Sequence, residues 1–184
     1  MALYFFCPTR ILRTAKILKF VKCLLYDVNL PSILNFNSTY IKLYHITSSF
    51  ADEEKYAKKI SEMFVYDFFS LADKTSKTDV GGVDFVYSGV LDNFLLNAED
   101  TYYKYIESNI YGNRDQKLPE VGDITIESVK TEPYTIAGGA TDEKAYYVKL
   151  NWDYTSEDFN SYQKSAELVF MHNDIRLDLV ELQK

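Results

Sequence analysis

Over residues 144–182 three successive runs of the chain alternate apolar and polar positions with a period of two. In the first, Tyr146, Val148, Leu150, Trp152 and Tyr154 share one face, and Ala145, Tyr147, Lys149, Asn151 and Asp153 share the other. A half-buried strand has this pattern, because successive side chains on an extended backbone point to opposite sides. Tyr162, Ala166, Leu168 and Phe170 occupy one face of a second run, and Ile175, Leu177 and Leu179 one face of a third. Between these two runs, His172-Asn173-Asp174 predicts a tight hairpin, since Asn and Asp tolerate positive φ.

Upstream, the period becomes that of a helix. Ser49-Phe50-Ala51-Asp52 resembles a helix cap, and Asp52, Glu53 and Glu54 put negative charge in the first turn. Tyr56, Ile60, Met63, Phe64 and Phe68 then recur at helical spacing, which predicts an amphipathic helix over residues 49–73. The polar loop that follows, residues 74–82, ends in Gly81-Gly82. It has neither the Gly-Lys-Ser/Thr ending of a P-loop nor the alternating acids of a calcium loop, so its glycines are read as suppliers of unusual backbone angles. Leu91, Phe94, Leu95, Ala98, Tyr102, Tyr105 and Ile106 predict a second helix over residues 90–109. Ile124, Ile126 and Ser128 alternate with Thr125, Glu127 and Val129 as a first strand. Pro133 interrupts it, which excludes a central hydrogen-bonded position there. Residues 137–142 then form a flexible connection into the long strand. Helix, helix and about four antiparallel strands predict one α+β domain over residues 49–184, with two main N-terminal helices packed on a curved, cone-like antiparallel sheet.

Residues 1–48 read as a leader that is poorly structured or peripheral, and as a candidate for a mis-assigned start. Pro31, Asn35 and Asn37 sit in a stretch with no period, and the apolar run of residues 11–26 is cut by Arg13, Lys16, Lys19 and Lys22. No run reaches the roughly 20 apolar residues that a membrane helix needs, and apolar residues precede the charges, the reverse of a signal peptide. Charge separates the leader from the rest. Residues 1–50 carry six basic residues and one acid, Asp27, against a net charge of −7 for all 184 residues, so the remainder holds −12. An acidic body repels phosphate backbones, and nucleic acid is excluded as its partner. Both cysteines, Cys7 and Cys23, lie in the leader and are read as free thiols, without the spacing of a zinc or redox site.

The pattern yields no catalytic, cofactor or metal-binding residue. An acid or base with an oxyanion donor could be drawn from Tyr66, Asp67 and Tyr102 on the helices, or from Tyr147, Asp153 and Glu167 on the sheet. The Tyr146 and Tyr147 faces cannot both point inward, however, and the apolar face is the natural core, so these residues are read as core or surface groups. His172 is read as a solvent-exposed histidine beside the hairpin, and His45 lies in the leader. Neither has a triad or metal partner at a defining spacing. Glu99-Asp100, Asp142-Glu143 and Glu157-Asp158 read as solvated acidic pairs. The 16 Tyr and 12 Phe against one Trp are read as the codon bias of an AT-rich genome ahead of an aromatic recognition surface.

The helix over residues 54–71, the glycine-marked loop and the closing patterns Tyr146-x-Val148-x-Leu150-x-Trp152, Ala166-x-Leu168-x-Phe170 and Ile175-x-Leu177-x-Leu179 together resemble the nuclear transport factor 2-like fold. Within that group the chain is most similar to small extracytoplasmic domains of Gram-positive bacteria and to VirB-type bitopic scaffolds of conjugation machines. The resemblance implies a concave sheet face under helices and, for those relatives, a membrane helix ahead of the domain; the leader here departs from that. It also implies a cell-envelope setting where an anchor precedes the chain and a cytoplasmic one otherwise. The expected function is a non-enzymatic protein-interaction or scaffold domain, with protein partners or self-association. A small-molecule-binding module and an isomerase or dehydratase using the concave face are the alternatives, because fold alone does not settle function.

Overall fold

A computed structural model describes residues 53–174 and 176–184. Helix α1 (Glu53–Phe69) is followed by a 3-10 turn (Val83–Phe85), helix α2 (Leu91–Asp100), strands β1 (Val121–Thr135) and β2 (Thr141–Tyr154), a second 3-10 turn (Glu157–Phe159), and strands β3 (Ser165–Asn173) and β4 (Arg176–Gln183). The class is α+β: two helices precede a four-stranded antiparallel sheet in the order β1-β2-β3-β4. The readings of the leader, Cys7, Cys23, His45, the Ser49 cap and Ile175 lie outside the described residues.

One core joins the helices to the sheet. Ile60, Phe64 and Phe68 of α1 are buried with Val148, Leu150 and Trp152 of β2, Leu168 and Phe170 of β3, and Leu179 of β4, the face that the alternation assigned to the interior. Phe68 is its aromatic hub. The rings of Phe64, Phe69, Phe94, Tyr102 and Tyr103 lie 4.9–5.5 Å from it, within the range where edge and offset contacts add to simple burial. Phe69 lies against Trp152, with ring centroids 4.3 Å apart.

Several boundaries differ from those predicted. Helix α1 ends at Phe69: Ser70 N still bonds to Tyr66 O, at 3.3 Å, but Leu71 and Ala72 both donate to the Pro119 carbonyl, at 2.8 and 3.2 Å. Helix α2 stops at Asp100, nine residues short of the predicted end. Glu99 and Asp100 place negative charge at the unfavourable pole of the helix dipole, and the Thr101 hydroxyl turns back to the Asn97 carbonyl at 2.5 Å. Strand β1 is longer than predicted and runs through Pro133. It is an edge strand, and Pro133 sits at a register shift between Glu132 and Tyr134, where its missing donor costs no ladder bond. Residues 136–140 form a closed turn, with Ile136 N bonded to Ala140 O at 3.0 Å. Tyr162 precedes β3 and does not belong to it. The hairpin after His172 is present: Asn173 pairs with Arg176, and Asp174 has φ 55°.

The outer face of the sheet is not uniformly polar as expected. Ala145, Val169, Met171 and Val180 form a second buried cluster there, packed by Tyr87, Tyr134, Ile136 and Tyr147. The far edge, β4, is partly closed by Val86 and Tyr87, whose amide donates to Leu179 O at 2.8 Å.

Candidate interaction site

A buried polar knot holds the corner where α1 leaves the core. Lys74 is buried, and its Nζ lies 2.9 Å from Asp67 Oδ1 and 3.2 Å from Asp73 Oδ1. The other oxygen of Asp67 accepts from Gly82 N at 2.7 Å. The Tyr103 hydroxyl donates to Phe68 O at 2.6 Å and accepts from Gly81 N at 3.0 Å, so one side chain satisfies a helix-end carbonyl and a loop amide. The glycine pair is required by space and conformation: a Cβ on Gly81 would lie 2.2 Å from the Asp67 carbonyl oxygen, and Gly82 has φ 72°.

From this knot hangs the irregular stretch of residues 101–120. Loops of this length within a compact domain are uncommon and usually have a function. This one is strapped down. Arg114 donates to the carbonyls of Lys74 (2.8 Å), Ala72 (3.1 Å) and Glu107 (3.2 Å), and Asn109 N bonds to Thr75 O at 2.7 Å. Gln116 accepts from Glu107 N and donates to Tyr105 O. Yet three of its large apolar side chains point to solvent: Tyr105 is 77% exposed, Ile110 72% and Tyr111 90%. With the backbone already held, any contact these groups made would carry little further entropic cost of ordering it.

Beside the loop lies a hollow of about 220 Å³ between the end of α1, residues 101–119 and the turn before β3. Tyr102, Tyr154, Tyr162, Phe69 and Ile106 are among its walls, with Gln163 and Gln116 as amides. The Tyr102 hydroxyl donates to Gln163 Oε1 at 3.1 Å, the Tyr154 hydroxyl to Gln163 O at 2.8 Å, and Gln163 Nε2 to Ser165 O at 2.7 Å. Burial raises the pKa of both tyrosines, which outweighs the opposing hydrogen bonds, so both hydroxyls are protonated at neutral pH.

No family, curated protein or solved structure matches this chain.

The residues considered as catalytic candidates do not converge. Tyr102 lines the hollow, Asp67 belongs to the Lys74 knot, and Tyr66 packs against the core. Asp153 pairs with Lys164 at 3.3 Å, Tyr147 donates to Pro133 O at 3.3 Å, and Glu167 sits on the outer face. His172 is exposed, as expected, and it also has partners. Its backbone N and ring Nδ1 both bond to Asp142 Oδ2, at 2.7 and 2.8 Å, and its Nε2 lies 3.6 Å from Glu53, which also accepts from the Tyr146 hydroxyl. Burial disfavours ionisation of Asp142, but the amides of His172 and Lys144 and the His172 ring outweigh it, so its pKa is lowered. This cluster ties the start of α1 to the sheet. Among the described residues no group of three His, Cys, Asp or Glu is placed to hold a metal ion, and no helix is long and apolar enough to cross a membrane.

Sequence reasoning missed Arg114, Gln116 and Gln163, which build the site. The signal within reach was the placement of Tyr105, Ile110 and Tyr111 in an otherwise polar stretch, and the helical period absorbed the first of them.

Proposed function

We propose that this domain is a non-enzymatic protein-interaction or scaffold module whose working surface is the strapped loop of residues 101–120. The observation that carries the reading is the combination of a pinned backbone with the outward display of Tyr105, Ile110 and Tyr111. Exposed aromatic and aliphatic groups on a rigid support are what the centre of a protein interface is made of. The cone-like, nuclear transport factor 2-like arrangement belongs to the same proposal. It is supported by the order of helices before a four-stranded meander and by the shared core of α1 and the sheet. A place in a cell-envelope or conjugation assembly is the setting that the sequence resemblance implies.

The hollow favours a second reading, a module that binds a small molecule of about one ring. An isomerase or dehydratase needs an acid or base at the reacting atom, whereas the walls here are apolar side chains, tyrosines, a threonine and two glutamines.

The test is the double variant Ile110→Ser, Tyr111→Ser, compared with the unaltered chain by size exclusion of extracts from the native cells. The unaltered chain is expected to elute in a complex and the variant as free chain. Its thermal midpoint should stay within about 2 °C, because exposed substitutions cost little. Identical elution of the two would overturn the reading.

A further inference from the structure

We propose that His172, set between the carboxylates of Asp142 and Glu53, is a proton-operated latch that holds the first turn of α1 to the sheet and loosens as the ring loses its charge.

The hydrogen bonds assign the atom that titrates. Burial opposes ionisation of Asp142, yet its bonds to the amides of His172 and Lys144 and to the His172 ring lower its pKa, so Asp142 is a carboxylate that can only accept. Its Oδ2 lies 2.8 Å from Nδ1 of His172, and Nδ1 therefore keeps a hydrogen in both charge states of the ring. That leaves Nε2 to gain and lose the proton. It faces Glu53 Oε2 at 3.6 Å, and the Tyr146 hydroxyl, donating to the same oxygen at 3.1 Å, holds that carboxylate in place. With the ring neutral, a lone pair on Nε2 confronts a carboxylate and the two repel. With the ring charged, an N–H points at the carboxylate and the two attract.

The surroundings decide which group responds. Among the described residues, the titratable groups that face the ring are Asp142 and Tyr146 from β2 and Glu53 from α1. The cross-strand neighbour on β4 is Leu177, which carries no charge. Histidine is the side chain whose ordinary titration falls between about pH 5 and 8, with carboxylates below that range and tyrosine above it. The sign follows from linkage: a contact made by the charged ring contributes below its titration and is lost as pH rises through it. Glu53 lies at the start of α1 and Asp142 at the start of β2, so the contact joins helix to sheet and its loss is local. Its size is that of a wet pair, since the side chains of His172 and Glu53 are 33% and 62% exposed.

The experiment follows amide exchange of the full chain by NMR at about pH 5.5 and about pH 8, expressed as protection relative to the unstructured chain so that the intrinsic pH dependence cancels. The amides of Ala57 and Lys58 bond back to the first turn of α1. They should lose protection about 2- to 5-fold at the higher pH, the range of a partly exposed ion pair, while the amides of β2 and β3 keep theirs. Glu53→Gln removes the carboxylate and His172→Asn removes the titrating nitrogen; each should abolish the drop. At the higher pH, ring nitrogen shifts should place the proton of neutral His172 on Nδ1. No drop in the unaltered chain, a uniform loss across the domain, a drop that survives in either variant, or a proton on Nε2 of the neutral ring would overturn the proposal.

Discussion

Tyr102 and Tyr103 are neighbours in the chain and have opposite tasks. Tyr103 is fully buried, and both roles of its hydroxyl are used on backbone groups at the end of α1 and in the glycine loop. Tyr102 turns the other way, to the rim of a hollow, where its hydroxyl makes one bond to Gln163 and leaves its lone pairs open. The same residue type serves as a structural bolt at one position and as the wall of an open hollow at the next. What separates them is whether the surrounding groups exhaust the hydroxyl. The contrast extends to the two regions: the Lys74 knot is closed and buried, and the loop and hollow beside it present apolar surface to solvent.

The largest effect should come from opening the knot. Lys74→Met leaves Asp67 and Asp73 facing each other without their cation, at an expected cost of about 3 kcal/mol. That is the lower end for a broken buried pair, because both carboxylates keep some contact with water. Urea unfolding measures it, and a loss under about 1 kcal/mol would mean that the knot is ornamental. The tyrosine pair follows. Tyr103→Phe strands Phe68 O and Gly81 N and should cost about 2 kcal/mol, whereas Tyr102→Phe should cost about 0.5 kcal/mol, since Gln163 can reach water. Equal values in the same unfolding assay would erase the distinction between bolt and surface.

A smaller effect joins the two regions. Arg114→Ala removes the straps to Ala72, Lys74 and Glu107 and should cost about 1 kcal/mol globally. The Asn109 amide, bonded to Thr75 O, should then exchange with solvent faster than the strand amides of β2 and β3, as local opening requires. Uniform acceleration across the domain would show that the loop is not a separate unit. The smallest effect lies at the Asp142 cluster, apart from both. A carboxylate with a lowered pKa stabilises the fold above its unfolded value, and that contribution disappears as pH falls through the folded one. Asp142→Asn should therefore flatten the loss of stability below about pH 4 and change nothing at pH 7 beyond the lost bonds. An unaltered acid limb would place the acid sensitivity elsewhere.

The sheet was the most legible part of the chain. Val148, Leu150 and Trp152 declare their face by alternation, because a half-buried strand has only two sides. Helix α1 was legible for the same reason at its own period. The start of helix α2 was legible and its end was not, since Tyr102, Tyr105 and Ile106 continue a helical spacing that Thr101 and two terminal acids break, and periodicity is blind to such an end. The outer cluster of Ala145, Val169, Met171 and Val180 was missed because each strand contributes only one or two of its members. The site itself was almost unreadable. Arg114 acts on carbonyls forty residues away, and Gln163 reaches Tyr102 across sixty-one positions, so neither leaves a local spacing to find. The glycine pair came closest: its need for unusual backbone was readable, and the reason for it, a close approach to Asp67 and Lys74, was not.

The most direct measurement places a photo-reactive benzoylphenylalanine at Tyr111 of the full chain in the native cells, with a control at the exposed Glu143 on β2. After illumination, a discrete covalent adduct at position 111 that is absent at position 143 is the expected result. No adduct at position 111, or the same diffuse adducts at both positions, would contradict the assignment of the strapped loop as the working surface of this protein.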